Sequence, residues 1–251
     1  MLLLGLPVFS RHVRADARAT ADALYNRLQQ KNIRRAGYRT ADMAKLIAND
    51  VPDAKQFAVQ PGTVDPRRAI EELDRTIPKD WDIVVGGGHY FSIAMTHIKN
   101  RPPEKVHVFV DFGAIGSGLP AAIGIAKARG DGKVALIEGD GSVMMHAQEL
   151  ETIRRQGIQM LIAIINDGGY GAEFHKFRAN KVNPAGAIHG RGDIAAVATG
   201  FGLRGANVNA LGRMDGLFKE HRSANIASLW DIHTDDLIPS RSYRRVHFGE
   251  A

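Results

Sequence analysis

The 251-residue sequence predicts an α/β fold, a mostly parallel, doubly wound sheet with helices on both faces. Three observations predict it. Short apolar runs of strand length recur, residues 134–137 and 160–165 being the clearest, and read as strands buried on both faces. A helix-length segment, residues 143–155, lies between those two. Each run ends in a polar, glycine-bearing turn, Gly139-Asp140-Gly141-Ser142 after the first and Asn166-Asp167-Gly168-Gly169-Tyr170-Gly171 after the second. Strand, turn, helix, strand is the βαβ unit of a parallel sheet, in which ligands bind beyond the carboxyl ends of the strands.

The elements follow in order. Residues 1–9 read as a strand, with Pro7 towards its end. Residues 15–30 read as a helix, with Asp16 as cap and Ala19, Ala23, Leu24 and Leu28 on one face. Residues 40–49 suit a short helix, and Pro52, Pro61, Gly62 and Pro66 punctuate a connector. A helix over 66–75 starts well, with Asp65 as cap, Pro66 at its first position and Glu71 and Glu72 in its early turns. Residues 81–85 form the first strand of the main sheet, ending in Gly86-Gly87-Gly88-His89 before a helix over 90–99. A strand over 106–110, a glycine-rich segment over 111–120 and a small-residue helix over 121–128 lead to the central unit. Residues 173–192 lack periodicity and are expected as a long loop carrying Glu173, His175 and His189. A helix over 193–199, a strand over 203–207, a helix over 214–223, a strand over 226–232 and a tail over 239–251 complete the reading.

Composition excludes several classes. Cysteine is absent, which rules out disulfides and thiolate metal sites and fits a reducing compartment such as the cytoplasm. Lys and Arg number 33 against 27 Asp and Glu, yet the arginines are scattered and not interleaved with aromatics, so no nucleic-acid surface is expected. No apolar run reaches membrane-spanning length, and residues 2–9 lack the basic leader and cleavage site of a signal peptide.

The two turns carry the chemistry. Asp140, Asn166 and Asp167 offer hard oxygens at neighbouring strand ends, which suits Mg²⁺ carried by a phosphate ligand. The N–H groups of Gly141, Ser142 and Val143 open a helix and can hold an anion. The reading is a Mg²⁺–diphosphate site. Gly-Asp-Gly, helix, strand, then Asn-Asp resembles the cofactor motif of thiamine diphosphate (ThDP) enzymes, closest to the acetolactate synthase, pyruvate oxidase and 2-oxoacid decarboxylase group. A bare Gly-Asp-Gly is weak evidence; the spacing and the upstream segments strengthen it. Residues 13–24 resemble the last strand-to-helix step of that group's middle domain.

The resemblance implies a remnant of a middle domain over 1–35, a helical linker over 36–80 and a diphosphate-binding domain over 81–238. It implies ThDP and Mg²⁺ as cofactors, with Asp140 as metal ligand, a backbone contact at Gly169, and a second side-chain ligand at Asp167 or, alternatively, Asn166. Asp167 departs from the group's commoner asparagine and adds a negative charge near the diphosphate. Gly113 to Gly124 resembles the segment that props the bent cofactor, with Ile115 as the apolar wedge and Gly113 in its frame. His89 matches a histidine that touches the diphosphate, Gly141 and Ser142 lie beside it, and Tyr170 faces the substrate pocket. The substrate implied is a 2-oxoacid, acted on by a decarboxylase or carboligase. The activating glutamate belongs to a pyrimidine-binding domain with no counterpart in this sequence. The chain is therefore expected to act in a homodimer or tetramer, or with a chain that supplies that domain. The alternative is a non-catalytic partner module or truncated remnant of the same fold. A dinucleotide-binding reading is disfavoured, because no Gly-x-Gly-x-x-Gly follows the first strand.

Overall fold

A computed structural model describes residues 14–32, 37–50 and 52–250, in two compact units, residues 1–51 and 52–251. The strand expected over 1–9 lies outside the described residues. In the first unit, helix α1 (Ala17–Gln30) is capped by Asp16, whose side chain accepts from the Ala19 N–H, and helix α2 (Ala41–Asn49) by Thr40, which accepts from the Met43 N–H. Neither helix buries a residue, and Leu24, Tyr25, Leu28, Leu46 and Ile47 are exposed.

The second unit opens with α3 (Pro66–Thr76) and continues β1 (Asp82–Gly86), α4 (His89–His97), β2 (Val106–Phe109), α5 (Gly118–Arg129), β3 (Val134–Gly139), α6 (Asp140–Val143), α7 (Glu149–Arg155), β4 (Leu161–Asn166), α8 (Gly171–Ala179), α9 (Ile194–Gly200), β5 (Arg204–Val208), α10 (Met214–Ser223), β6 (Ser228–His233) and α11 (Arg241–His247). The six strands form one all-parallel sheet in the order β2-β1-β3-β4-β6-β5. This is the doubly wound α/β fold expected.

Strand alternation sorts the core into two layers. Leu161, Ala163 and Ile165 of β4 face the layer containing Ile70, Leu73, Ile93 and Trp230. Ile162 and Ile164 face the layer containing Leu119, Ala122, Leu150, Ile153 and Leu229. Helices α3, α4 and α10 cover the first face, and α5, α7 and α9 the second. A fully buried side chain of this kind stabilises by about 1.5–3 kcal/mol, so burial on both faces explains why β3 and β4 read as continuous apolar runs.

Three segments differ from the sequence reading. The single helix expected over 143–155 is divided into α6, a 3₁₀ turn at Met144–His146, and α7. The expected long loop begins with helix α8, which buries Phe174 and His175. The expected tail carries helix α11, capped by Ser240 and anchored by Arg244. Arg244 is buried and grips Asp53 through Nη2–Oδ1 (2.7 Å) and Nη1–Oδ2 (3.0 Å). Arg67 Nη1 lies 3.1 Å from the same Oδ2. Glu72, expected to serve its own helix, accepts instead from the N–H groups of Gly212 and Met214 and caps α10.

Candidate functional site

From β1 the chain runs outward to β2, then returns past β1 to β3. Helices α4 and α5 consequently leave on opposite faces, and the carboxyl ends of β1 and β3 part between them. Such a topological switch point leaves a crevice above the sheet, the usual ligand site of open α/β folds. A cleft of about 260 Å³ opens at this place. Its walls come from the turn after β1, the 113–115 segment, the turn after β3, and the turn and first residues of α8 after β4.

The cleft gathers Asp140, Gly141, Ser142, Asp167, Gly169, Tyr170, His89, Gly113 and Ile115. Asn166 is the exception. It is fully buried, its Nδ2 donates to Asp231 Oδ1 (2.8 Å) and to the Arg191 carbonyl (3.0 Å), and its Oδ1 accepts from the Gly168 N–H (3.2 Å). Asp231 in turn accepts from the Ile194 N–H at the start of α9. Asn166 therefore ties β4 to β6 and α9, and its neighbour Asp167 is the side chain that faces the cleft.

Two carboxylates converge here. Burial and the charge of Asp167 push Asp140 far above the usual carboxylate range. Burial does the same to Asp167, against a pull from the Gly169 N–H. Asp140 Oδ2 accepts from the Gly168 N–H (2.9 Å), so the turn after β4 holds the acid of the turn after β3. Gly171 is required at its place: a Cβ there would fall 2.3 Å from Asp167 Oδ2 and 3.0 Å from His89 Cβ. Ser142 Oγ accepts from the Gly116 N–H (2.7 Å), which fixes the 113–118 segment against the turn after β3.

The histidines are not equivalent. His189 stands at the rim, its ring 5.4 Å from that of Tyr170 and its Nε2 3.9 Å from Asp140 Oδ2. His175, expected on an exposed loop, is buried on α8 with its ring 4.4 Å from that of His89. His89 is also buried; its Nδ1 lies 3.9 Å from Asp167 Oδ2 and its Nε2 accepts from the Ser240 N–H (2.9 Å). Burial lowers both imidazoles, His89 to about 3 and His175 to about 2, so both are neutral near pH 7.

Sequence reasoning missed Tyr90, Glu138, Ser240 and Tyr243. Tyr90 lines the cleft and donates from Oη to Glu138 Oε1 (2.5 Å), a carboxylate wholly buried on β3. Burial raises the Glu138 carboxyl. Room for it comes from Gly86 and Gly118, where a Cβ would approach within 2.2 and 2.0 Å of its oxygens. Those paired glycines were the available signal, since small residues at facing positions imply a bulky group between them.

Residues 86–232, more than half the chain, match the family described as thiamine pyrophosphate enzyme, C-terminal TPP binding domain. Acetolactate synthase 1, chloroplastic, of Nicotiana tabacum is 30% identical over 173 residues, covering 67% of this chain and 26% of that protein. The acetolactate synthase isozyme 2 large subunit of Escherichia coli is 25% identical over 170 residues, covering 67% of this chain and 31% of that one. The chain thus spans about a third or less of the curated relatives it matches. Among solved structures, the thiamine diphosphate-dependent 4-hydroxybenzoylformate decarboxylase of Rhodococcus jostii RHA1 superposes with a TM-score of 0.65 at 24% identity, over 73% of this chain and 35% of that one. That structure shares the fold. With the family match over the sheet and the acetolactate synthase relatives in agreement, the chain belongs to the thiamine pyrophosphate enzymes, as a C-terminal TPP-binding domain.

Proposed function

We propose that the cleft holds thiamine diphosphate through Mg²⁺, with Asp140 and Asp167 as the side-chain ligands and the Gly169 carbonyl as a backbone contact. The observation that carries this is the convergence of two buried carboxylates at the switch point, each raised by burial, with Asn166 turned inward. All three donors are hard oxygens, the set Mg²⁺ prefers. A divalent cation would relieve the cost of ionising both acids in one low-dielectric cleft. Asp167 in place of an amide strengthens the negative charge presented to the metal. The residues present fit the group.

The cofactor, when bound, supplies the chemistry that cleaves and forms bonds at the carbonyl carbon of a 2-oxoacid. The chain's own residues bind and orient. Ile115 presents apolar bulk to the cleft beside Gly113. The neutral His89 offers an N–H for a phosphate oxygen, and Gly141 and Ser142 line the wall next to Asp140. Tyr170 and Glu173 stand where a substrate would enter.

The cleft, at about 260 Å³, is smaller than the roughly 300–1,000 Å³ of pockets that enclose a whole ligand. This supports a site with one wall supplied from elsewhere. The reading is that the chain is the diphosphate-binding part of an acetolactate synthase-like decarboxylase or carboligase, completed by a pyrimidine-binding domain across an oligomer interface. The exposed apolar residues of α1 and α2 support an origin in a larger body. Melting the purified chain with ThDP, with and without Mg²⁺, tests the cofactor assignment. A Mg²⁺-dependent rise that Asp140→Ala abolishes is expected. A rise indifferent to Mg²⁺, or kept by the variant, would refute it.

A further inference from the structure

One peptide group, that joining Pro239 to Ser240, is held at both ends. Its carbonyl oxygen accepts from Arg244 Nη1 (2.8 Å), and its N–H donates to His89 Nε2 (2.9 Å). The Ser240 side chain is held too: Oγ accepts from the Ser92 hydroxyl of α4 (2.8 Å) and from the Tyr243 N–H (3.4 Å). Arg244 is fixed by the carboxylates of Asp53 and Glu250. A backbone N–H is a donor only, so the imidazole nitrogen facing it is the acceptor and carries no proton. The single proton of the ring then sits on Nδ1, the nitrogen facing Asp167 and the cleft. The rings of His175 (4.4 Å) and Tyr243 (5.0 Å) pack against His89 and hold its plane. A guanidinium on the carbonyl end polarises the peptide and strengthens the donor at the other end.

We propose that Ser240 is a positioning residue: its backbone N–H fixes the tautomer of His89, so that Nδ1–H is presented to the cleft as the donor for a bound diphosphate oxygen. The segment at 239–244, which lines no part of the cleft, would thus set the polarity of a side chain that does. The diphosphate part rests on the cofactor reading above; the tautomer part does not.

The test is the imidazole nitrogen spectrum of the full chain, recorded by long-range proton–nitrogen NMR with His89 assigned by its loss in His89→Asn. The wild type and Ser240→Ala, which keeps the N–H, are expected to show the proton on Nδ1. Ser240→Pro removes the N–H alone from the backbone, and its φ of −59° at this position already suits proline. It is expected to show the proton shared with or moved to Nε2, and to bind Mg²⁺–ThDP about tenfold more weakly, the worth of one hydrogen bond to a charged group. A wild-type proton on Nε2 overturns the proposal, as does a Ser240→Pro spectrum identical to wild type. If the proline variant does not fold, the wild-type spectrum still decides. A correct tautomer whose Nδ1 signal ignores saturating Mg²⁺–ThDP would refute the diphosphate contact and leave the role of Ser240 standing.

Discussion

Replacing Asp167 with asparagine removes one of two buried carboxylates and keeps an oxygen within reach of the Gly169 N–H. Burial pushes Asp167 from 3.8 up to about 7. At about 1.4 kcal/mol per tenfold change in proton affinity, the ionised folded form carries roughly 4 kcal/mol of unfavourable free energy. Asp140 is raised in the same cleft and relaxes when its neighbour loses charge, while the amide still has to be desolvated. We therefore take about half, ~2 kcal/mol, as the gain from the substitution. The sign follows from proton linkage. Between pH 3.8 and about 7 the folded state holds these protons more tightly than the unfolded state, so stability falls as pH rises through that window. Metal-free Asp167→Asn should accordingly melt about 4–8 °C above the wild type at pH 8, for a chain of this size, and near the wild type at pH 4. Mg²⁺ should stabilise the wild type more than the variant. Calorimetric or circular-dichroism melts at the two pH values, with and without Mg²⁺, make the comparison. A variant that melts at or below the wild type at pH 8, or a difference that ignores pH, would refute the argument.

Asp140→Ala should abolish the Mg²⁺-dependent stabilisation by ThDP, a loss of about 2.7 kcal/mol where the wild type is tested at a hundred times its dissociation constant; thermal shift reads it directly. Gly118→Ala should cost about 1–3 kcal/mol in urea unfolding, because its methyl would lie 2.0 Å from Glu138 Oε2 and 3.1 Å from Gly86 Cα. Adding Glu138→Ala should return part of that cost, and a strictly additive double variant would place the crowding elsewhere. Arg244→Ala should cost about 3 kcal/mol near neutral pH, since it strips the buried Asp53 of one of two cations. Arg244 and Arg67 hold the Asp53 carboxyl below its ordinary value. The penalty should therefore be present above pH 3.8 and fade as pH falls through the folded value, as acid titrations of both proteins would show.

The centre of the sheet was legible because β3 and β4 are buried on both faces, and the apolar runs at 134–137 and 160–165 have no other use. Helix α10 matches the residues expected, and α3 differs by one residue, because Asp65 and Pro66 announce it. What stayed hidden depends on distant partners. Helix α8 lacks an apolar stripe and is held by Phe174 and His175 against neighbours that no local pattern names. Helix α11 is anchored by an arginine whose acid lies 191 residues away in sequence. The choice between Asn166 and Asp167 was open for the same reason. Either supplies an oxygen, and the buried Asp231 on β6 is what draws Asn166 inward. The cleft residues near the two turns were readable from spacing, whereas Glu138 was hidden at the end of a strand that otherwise reads as apolar.

The clasp between Asp53 and Arg244 has a consequence for how the protein is made. These residues stand near the two ends of the larger unit, so the ionic cluster cannot form until residues 239–250 have left the ribosome. Until then Asp53 and Arg67 face each other without Arg244, and the imidazole of His89 lacks its backbone donor. The sheet can assemble before then, but the side of the cleft that carries His89 is set only once that segment has docked. A fusion partner that pulls on the 239–250 segment would therefore perturb the cleft from behind without touching any residue that lines it.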